Sequence, residues 1–240
     1  MDDAERILQT VRKSLLRDPR ADIAGHPLTL IWEDGNLTIE GEVADIAAKK
    51  LVLERAAALP RVEAIIDRLR VAPAHPMGDA AIRDSVRDAL LQEPALAAYA
   101  IYAMDKGQRQ TVRVPSTTDG SITIAVSGGV VTLDGEVLGL GQKRLAGVLA
   151  WWIPGARDVV NGLGVTPPEL DTDDEITDSV RLVLEKDPFV NSDQIRVTTR
   201  RSIVTLQGLA RTSSAREMAE FDAWYVFGVD KVVNLIEVRA

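Results

Sequence analysis

The feature that most limits what this chain can become is that it repeats itself three times. Gly35-Asn-Leu-Thr-Ile-Glu-Gly41, Gly129-Val-Val-Thr-Leu-Asp-Gly135 and Ser202-Ile-Val-Thr-Leu-Gln-Gly208 share one pattern. Twenty residues after each closing glycine a second block begins. The three blocks are Arg61-Val-Glu-Ala-Ile-Ile-Asp-Arg-Leu-Arg-Val71, Gly155-Ala-Arg-Asp-Val-Val-Asn-Gly-Leu-Gly-Val165 and Gly228-Val-Asp-Lys-Val-Val-Asn-Leu-Ile-Glu-Val238. Upstream, Ile7, Ile82 and Ile176 each precede a proline (Pro19, Pro94, Pro188) by twelve residues. Three spacings that recur together define one structural unit used three times.

Each unit is legible in physical terms. Ile7/Val11/Leu15, Ile82/Val86/Leu90 and Ile176/Val180/Leu184 lie at i, i+4 and i+8, one apolar stripe along a helix, and the acid–proline pair that follows stops it. Two β-type runs come next, the second being the threonine-centred block with alternating apolar residues. Its closing glycine predicts a bulge or a tight departure from the sheet. A second helix follows, over 46–59 in the first unit, and then a last strand such as 64–71. The order helix, strand, strand, helix, strand predicts an α+β fold of three tandem α-β-β-α-β units. Each is expected to set two helices on one face of a three-stranded sheet, where both stripes are buried. The boundaries are 1–72 for the first unit, 78–166 for the second and 172–240 for the third.

The Gly-x-Val-Thr-Leu-x-Gly strand, the alanine-rich second helix and the closing Gly-Val-x-x-Val-x-Asn-x-Leu-x-Val strand resemble the BON domain, named for bacterial osmotic-shock and nodulation proteins. Two departures stand out. Asp67 occupies the place of Asn161 and Asn234, and Arg201-Ser202 stands where a glycine-containing turn is expected. The resemblance implies a binding or scaffolding module. Envelope maintenance, stress responses, phospholipid contact and, in one cytoplasmic member, potassium binding are its associated roles. That potassium binder pairs BON with a LysM domain, and no LysM-like segment is left over here.

The differences between the units carry the functional expectation. From the helix-ending proline to the central glycine there are 22 residues in the first unit and 20 in the third, but 41 in the second. The second unit therefore holds an insertion at about 97–120, containing Tyr99, Tyr102, Arg109 and Arg113. It reads either as a surface loop of little entropic cost or as a recognition hairpin, since aromatic and basic residues together suit an interface. At the end of the second helix the first unit has Ala57-Ala58, the second Trp151-Trp152 and the third Trp224-Tyr225. One aromatic of each pair points away from its own core if Ala56, Ala150 and Ala223 face inward. Such rings are costly to leave in water. Packing of units two and three on each other, a partner protein and a membrane surface all answer that cost.

Other classes of function find little support. The chain has no cysteine and two histidines, His26 and His75, which excludes thiol chemistry and leaves nothing for a multi-histidine metal site. A net charge of −8 does not suit a general nucleic-acid binder. Glu169, Asp171, Asp173, Asp174 and Glu175 lack the glycine and terminal acid of a calcium loop and read as acids favouring a helix N-terminus. Gly139-Leu-Gly141-Gln-Lys-Arg144 lacks the third glycine of a dinucleotide loop. No base recurs beside Thr38, Thr132 or Thr205, and the paired carboxylates read as solvated helix faces. No catalytic, cofactor-binding or metal-ligating residue is expected. The N-terminus is acidic and the chain has neither an export signal nor a membrane-spanning stretch, so a cytoplasmic location is expected.

The expectation is thus a non-enzymatic binding or scaffolding protein, acting through a protein partner or self-association in a stress- or envelope-related context. A phospholipid surface, or potassium or another small ligand, is the alternative. Trp151, Trp152, Trp224, Tyr225, Tyr99, Tyr102, Arg109 and Arg113 are its candidate interface residues.

Overall fold

The computed structural model describes residues 3–16 and 25–239, which divide into two compact units, 1–72 and 73–240. In the first unit, α1 (Asp3–Leu15) is followed by β1 (Thr29–Glu33), β2 (Asn36–Val43), α2 (Ile46–Ala57) and β3 (Ala64–Val71). The sheet order is β1-β2-β3, with β1 antiparallel and β3 parallel to β2. Alternation along β2 turns Leu37, Ile39 and Val43 inward, where they meet Val11 and Leu15 of α1, Val52 and Ala56 of α2, and Leu69 of β3. The apolar stripe read from the sequence is the stripe that α1 buries. Asp45 caps α2 by accepting from the Ala48 amide at 2.7 Å. Pro19, expected to stop α1, lies outside the described residues.

The second unit holds two more copies of this arrangement. The middle copy has α3 (Asp79–Gln92), β4 (Tyr99–Asp105), β5 (Gln108–Arg113), β6 (Gly120–Ser127), β7 (Val130–Val137), α4 (Leu140–Trp151), β8 (Asp158–Asn161) and β9 (Gly164–Val165). The last copy has α5 (Asp173–Lys186), β10 (Ile195–Arg200), β11 (Ile203–Ala210), α6 (Ser213–Tyr225) and β12 (Lys231–Val238). Its sheet, β10-β11-β12, repeats the first. Pro94 and Pro188 follow α3 and α5 directly after their C-caps, as the helix stops require.

The middle sheet differs, having six strands in the order β5-β4-β6-β7-β8 with β9 also on β7. The insertion supplies β4 and β5, a hairpin that joins the sheet through parallel pairing of β4 with β6. The closing glycines also differ from expectation, since Gly135 and Gly208 stay within the ladder, opposite Ile122 and Ile195. A Cβ there would lie 2.1 Å from the Ser121 carbonyl oxygen and 1.9 Å from that of Gln194, so the facing strand's backbone demands glycine.

The junction between the middle and last copies

Helix α4 packs against both α5 and α6, so the middle and last copies meet helix layer to helix layer. The aromatic pairs at the ends of α4 and α6 lie in this junction. Trp151 stacks on Tyr225 with ring centroids 5.4 Å apart and 15° between planes. The Trp152 indole N–H donates to Asp222 Oδ1 at 2.8 Å. Trp224 is 1% exposed.

Polar groups surround these rings. Arg144, 1% exposed, donates through Nε to the Phe227 carbonyl at 2.9 Å and through its guanidinium to the Asp171 carboxylate, while Lys143 lies over the Phe227 ring. Helix α4 begins at Gly139, which offers no capping side chain; the Leu140 amide donates instead to Glu169 at 2.7 Å. Across the junction, Lys186 donates to both oxygens of the buried Glu93 at 2.9 and 3.1 Å. The acids before α5 therefore divide. Asp173, Asp174 and Glu175 occupy its first turn, whereas Glu169 and Asp171 bind α4. Asp187 and Asp222 are buried. Burial, and secondarily the Asp187 carboxylate, push the Asp222 carboxyl up to about 8 against the opposing pull of the Trp152 hydrogen bond.

The hairpin residues part company. Tyr99 is 2% exposed, and its hydroxyl accepts from the Leu138 amide at 3.1 Å. Arg113 points the same way and donates to the Leu96, Tyr99 and Leu91 carbonyls at 2.6, 3.3 and 3.4 Å, closing the turn after α3. A β-bulge between Ile101 and Tyr102 separates these two from the outer pair. Tyr102 and Arg109 lie on the opposite, uncovered face, with the guanidinium 3.7 Å from the ring centroid. Arg83 of α3 holds the hairpin tip through Asp105 at 2.7 Å.

A family model, that of the BON domain, matches residues 2–73, 108–167 and 172–240. The chain belongs to the BON domain family. This family is a non-catalytic type of binding domain. The middle match begins inside the hairpin, after α3 and β4. No curated protein matches the chain. Two solved structures of CdsD, a structural protein of the type III secretion system of Chlamydia trachomatis, are similar at 13% identity. One covers 100% of this chain and 100% of its own with a TM-score of 0.26, the other 98% and 92% with 0.25.

Superposing the three BON copies in sequence explains both departures. Asn161 and Asn234 in the closing strand donate to the Lys143 and Arg216 carbonyls at 2.7 and 3.0 Å, tying the second helix to the sheet. A carboxylate has no proton to give, and at Asp67 the tie is reversed: the buried Lys49 side chain turns inward to Asp67 at 3.0 Å and to the Leu69 carbonyl at 3.1 Å. Lys49, Lys143 and Arg216 stand at the same place in their helices. The Arg201-Ser202 turn holds φ of +52° and +59° without glycine because Asp173 accepts from both amides, at 2.7 and 2.9 Å. Those two hydrogen bonds, Ser202 first, hold the Asp173 carboxyl below the usual range. Asp79 does the same for Gly128 and Gly129.

All three sheets leave the face away from the helices open. Register places Ile31–Thr38–Ile66, Ala125–Thr132–Val160 and Thr198–Thr205–Val233 in equivalent rows across that face. The threonines are thus sheet-surface residues, Thr38 and Thr132 flanked by aliphatic side chains and Thr205 by Thr198 and Val233. Ile66 is 46% and Val160 50% exposed. Among the described residues, no group of three or more His, Asp or Glu is placed to hold a metal ion, and no helix is long and apolar enough to cross a membrane.

Proposed function

We propose that this chain is a non-enzymatic scaffold that binds a protein partner through the open face of its middle BON sheet. The carrying observation is that the inserted hairpin widens this face by two strands and sets Tyr102 and Arg109 upon it. Register continues from Thr111 through Tyr102 and Thr123 to Asp134, with Val160 on the next row. Aromatic, arginine and aliphatic side chains together are the composition of a protein-binding patch. The junction aromatics support the same reading from the other side. Trp151 and Tyr225 stack on each other, Trp152 donates to Asp222 and Trp224 is buried, so these rings have contacts within the chain. In a cell the scaffold would serve a stress- or envelope-related assembly in the cytoplasm.

Tagged protein purified gently from its native host, with protein and lipid quantified by mass spectrometry, tests this. The expected result is a stoichiometric protein companion that is lost with Arg109→Glu, Tyr102→Ala or Val160→Glu, each folding normally. A companion retained by all three variants overturns the choice of face. Enriched lipid without a protein companion transfers the surface to phospholipid.

A further inference from the structure

We propose that β5 is an acceptor edge, to which an acidic, extended segment of a partner protein adds as a further strand of the middle BON sheet. The inference deepens the proposed function and rests on its reading that the partner is a protein. An outermost strand turns the amide and carbonyl of every second residue away from its sheet, where they need water or another strand. Along the closing strands a side chain takes these groups. Asp67 Oδ1 accepts from the Leu69 amide at 2.9 Å, Asn161 Oδ1 from the Leu163 amide at 3.4 Å and Asn234 Oδ1 from the Ile236 amide at 3.1 Å. The Leu69 carbonyl accepts from Lys49 and Arg70 at 3.1 and 2.7 Å. At the other edge of the last copy, Arg181 of α5 donates to the Val197 carbonyl of β10 at 3.3 Å.

The hairpin edge of the middle copy is not plugged in this way. The insertion covers β6 with β4 and makes β5 outermost. Gln108–Thr111 are exposed and pair in regular register with β4, ahead of the bulge. Among the described residues, no side chain bonds to the backbone of β5. Long charged side chains ordinarily guard such an edge. Here both arginines of β5 are drawn back across β4 instead. Arg113 is bound to the Leu96 and Tyr99 carbonyls, and Arg109 lies over the Tyr102 ring. Strand β1 also lacks a plug, but its five residues hold no cation to select a partner.

Arg109 gives the added strand its chemistry. Among the described residues its guanidinium meets the Tyr102 ring and no carboxylate, and it lies on the open face, beside the row that a new strand would fill. Opposite charges on adjacent strands attract and like charges repel. A second copy of this chain adding through its own β5 would bring together two strands that each hold two arginines and no acid. A segment with an acid facing Arg109 is therefore the occupant that fits. Its backbone would continue the ladder, and its acid would set the register.

The chain has no cysteine, so Ser116→Cys, in the exposed segment after β5, gives a single site at which a peptide can be tethered at roughly millimolar effective concentration. The probe is an octapeptide alternating glutamate and valine, and its control replaces glutamate by lysine. Amide hydrogen exchange of the intact chain, read by nitrogen-15 NMR, is expected to slow about tenfold or more at alternate residues of β5 with the glutamate peptide only. Arg109→Glu should transfer that protection to the lysine peptide, and Val160→Glu, at the far side of the sheet, should leave it unchanged. No protection of β5, equal protection by both peptides, or protection of β3 or β12 in its place overturns the inference. The two readings fail separately. A companion lost with Val160→Glu while β5 stays unprotected removes the added strand and keeps the face. Protection of β5 beside a companion indifferent to Arg109→Glu, Tyr102→Ala and Val160→Glu removes the face and keeps the strand.

Discussion

The first unit and the two fused copies follow one plan, and a handful of positions separates them. Where α2 ends in Ala57 and Ala58, both exposed, α4 and α6 end in aromatic pairs that stack and hydrogen-bond across the junction. Where α1 carries Ala4, α3 and α5 carry Asp79 and Asp173, which hold a hairpin turn two strands away. Where the first unit ties its second helix to the sheet with a lysine and an aspartate, the other copies use an asparagine and a backbone carbonyl. The shared core of two helices on a sheet is indifferent to these exchanges. In the second unit, the ends of α4 and α6 and the linker acids Glu169 and Asp171 join the two copies.

The severest way to break this comparison is Trp224→Ala. It removes a fully buried ring from the last copy and should cost about 3–5 kcal/mol. Trp32 is the one tryptophan in residues 1–72, so its fluorine-19 resonance in chain labelled with 5-fluorotryptophan reports the first unit during urea unfolding, and that midpoint should not move. A shift of both transitions together would mean that the units are not independent.

A gentler perturbation sharpens the difference in the helix tie. Lys49→Met leaves Asp67 without its cation and should destabilise the first unit by about 1–3 kcal/mol, toward the lower end because Asp67 keeps some contact with water. Adding Asp67→Asn restores a donor for the helix carbonyl, as in the other copies, and should recover most of the loss. No recovery in chemical denaturation would show that the lysine packs rather than pairs.

The smallest expected effect concerns the Arg201-Ser202 turn. The Asp173 carboxyl is held below its ordinary value by the folded turn, so its stabilising effect is present above the unfolded aspartate value and is lost as pH falls through the folded one. Asp173→Ala should lower the thermal midpoint at pH 7 and change it little at pH 2. An equal drop at both values would trace the effect to helix capping alone.

Much of this was legible in the residues because the repeating signals are local. Stripe spacing, acid–proline stops and alternation around Thr38, Thr132 and Thr205 require only near neighbours in the chain, and they yield the helices, the strands and the faces they bury. The insertion was visible as extra length, but whether it formed a loop or strands was not. Tyr99, Ala100 and Ile101 are buried in succession, without the alternation that marks a half-covered strand. Tyr99 and Arg113 looked like surface residues because their type suits an interface, while their direction follows from the bulge at Ile101 and Tyr102.

The sequence by itself determined three BON units, their element order and the residues that line each core, since each unit buries its own two apolar stripes against its own sheet. The tertiary structure alone decided that Trp151 meets Tyr225, that Trp152 reaches Asp222, and that Arg144 reaches Asp171 and the Phe227 carbonyl. The groups in these contacts lie dozens of residues apart, and no local period encodes them. They follow from how one helix layer seats on another, where shape and desolvation act together and each buried polar group must find its partner across the seam.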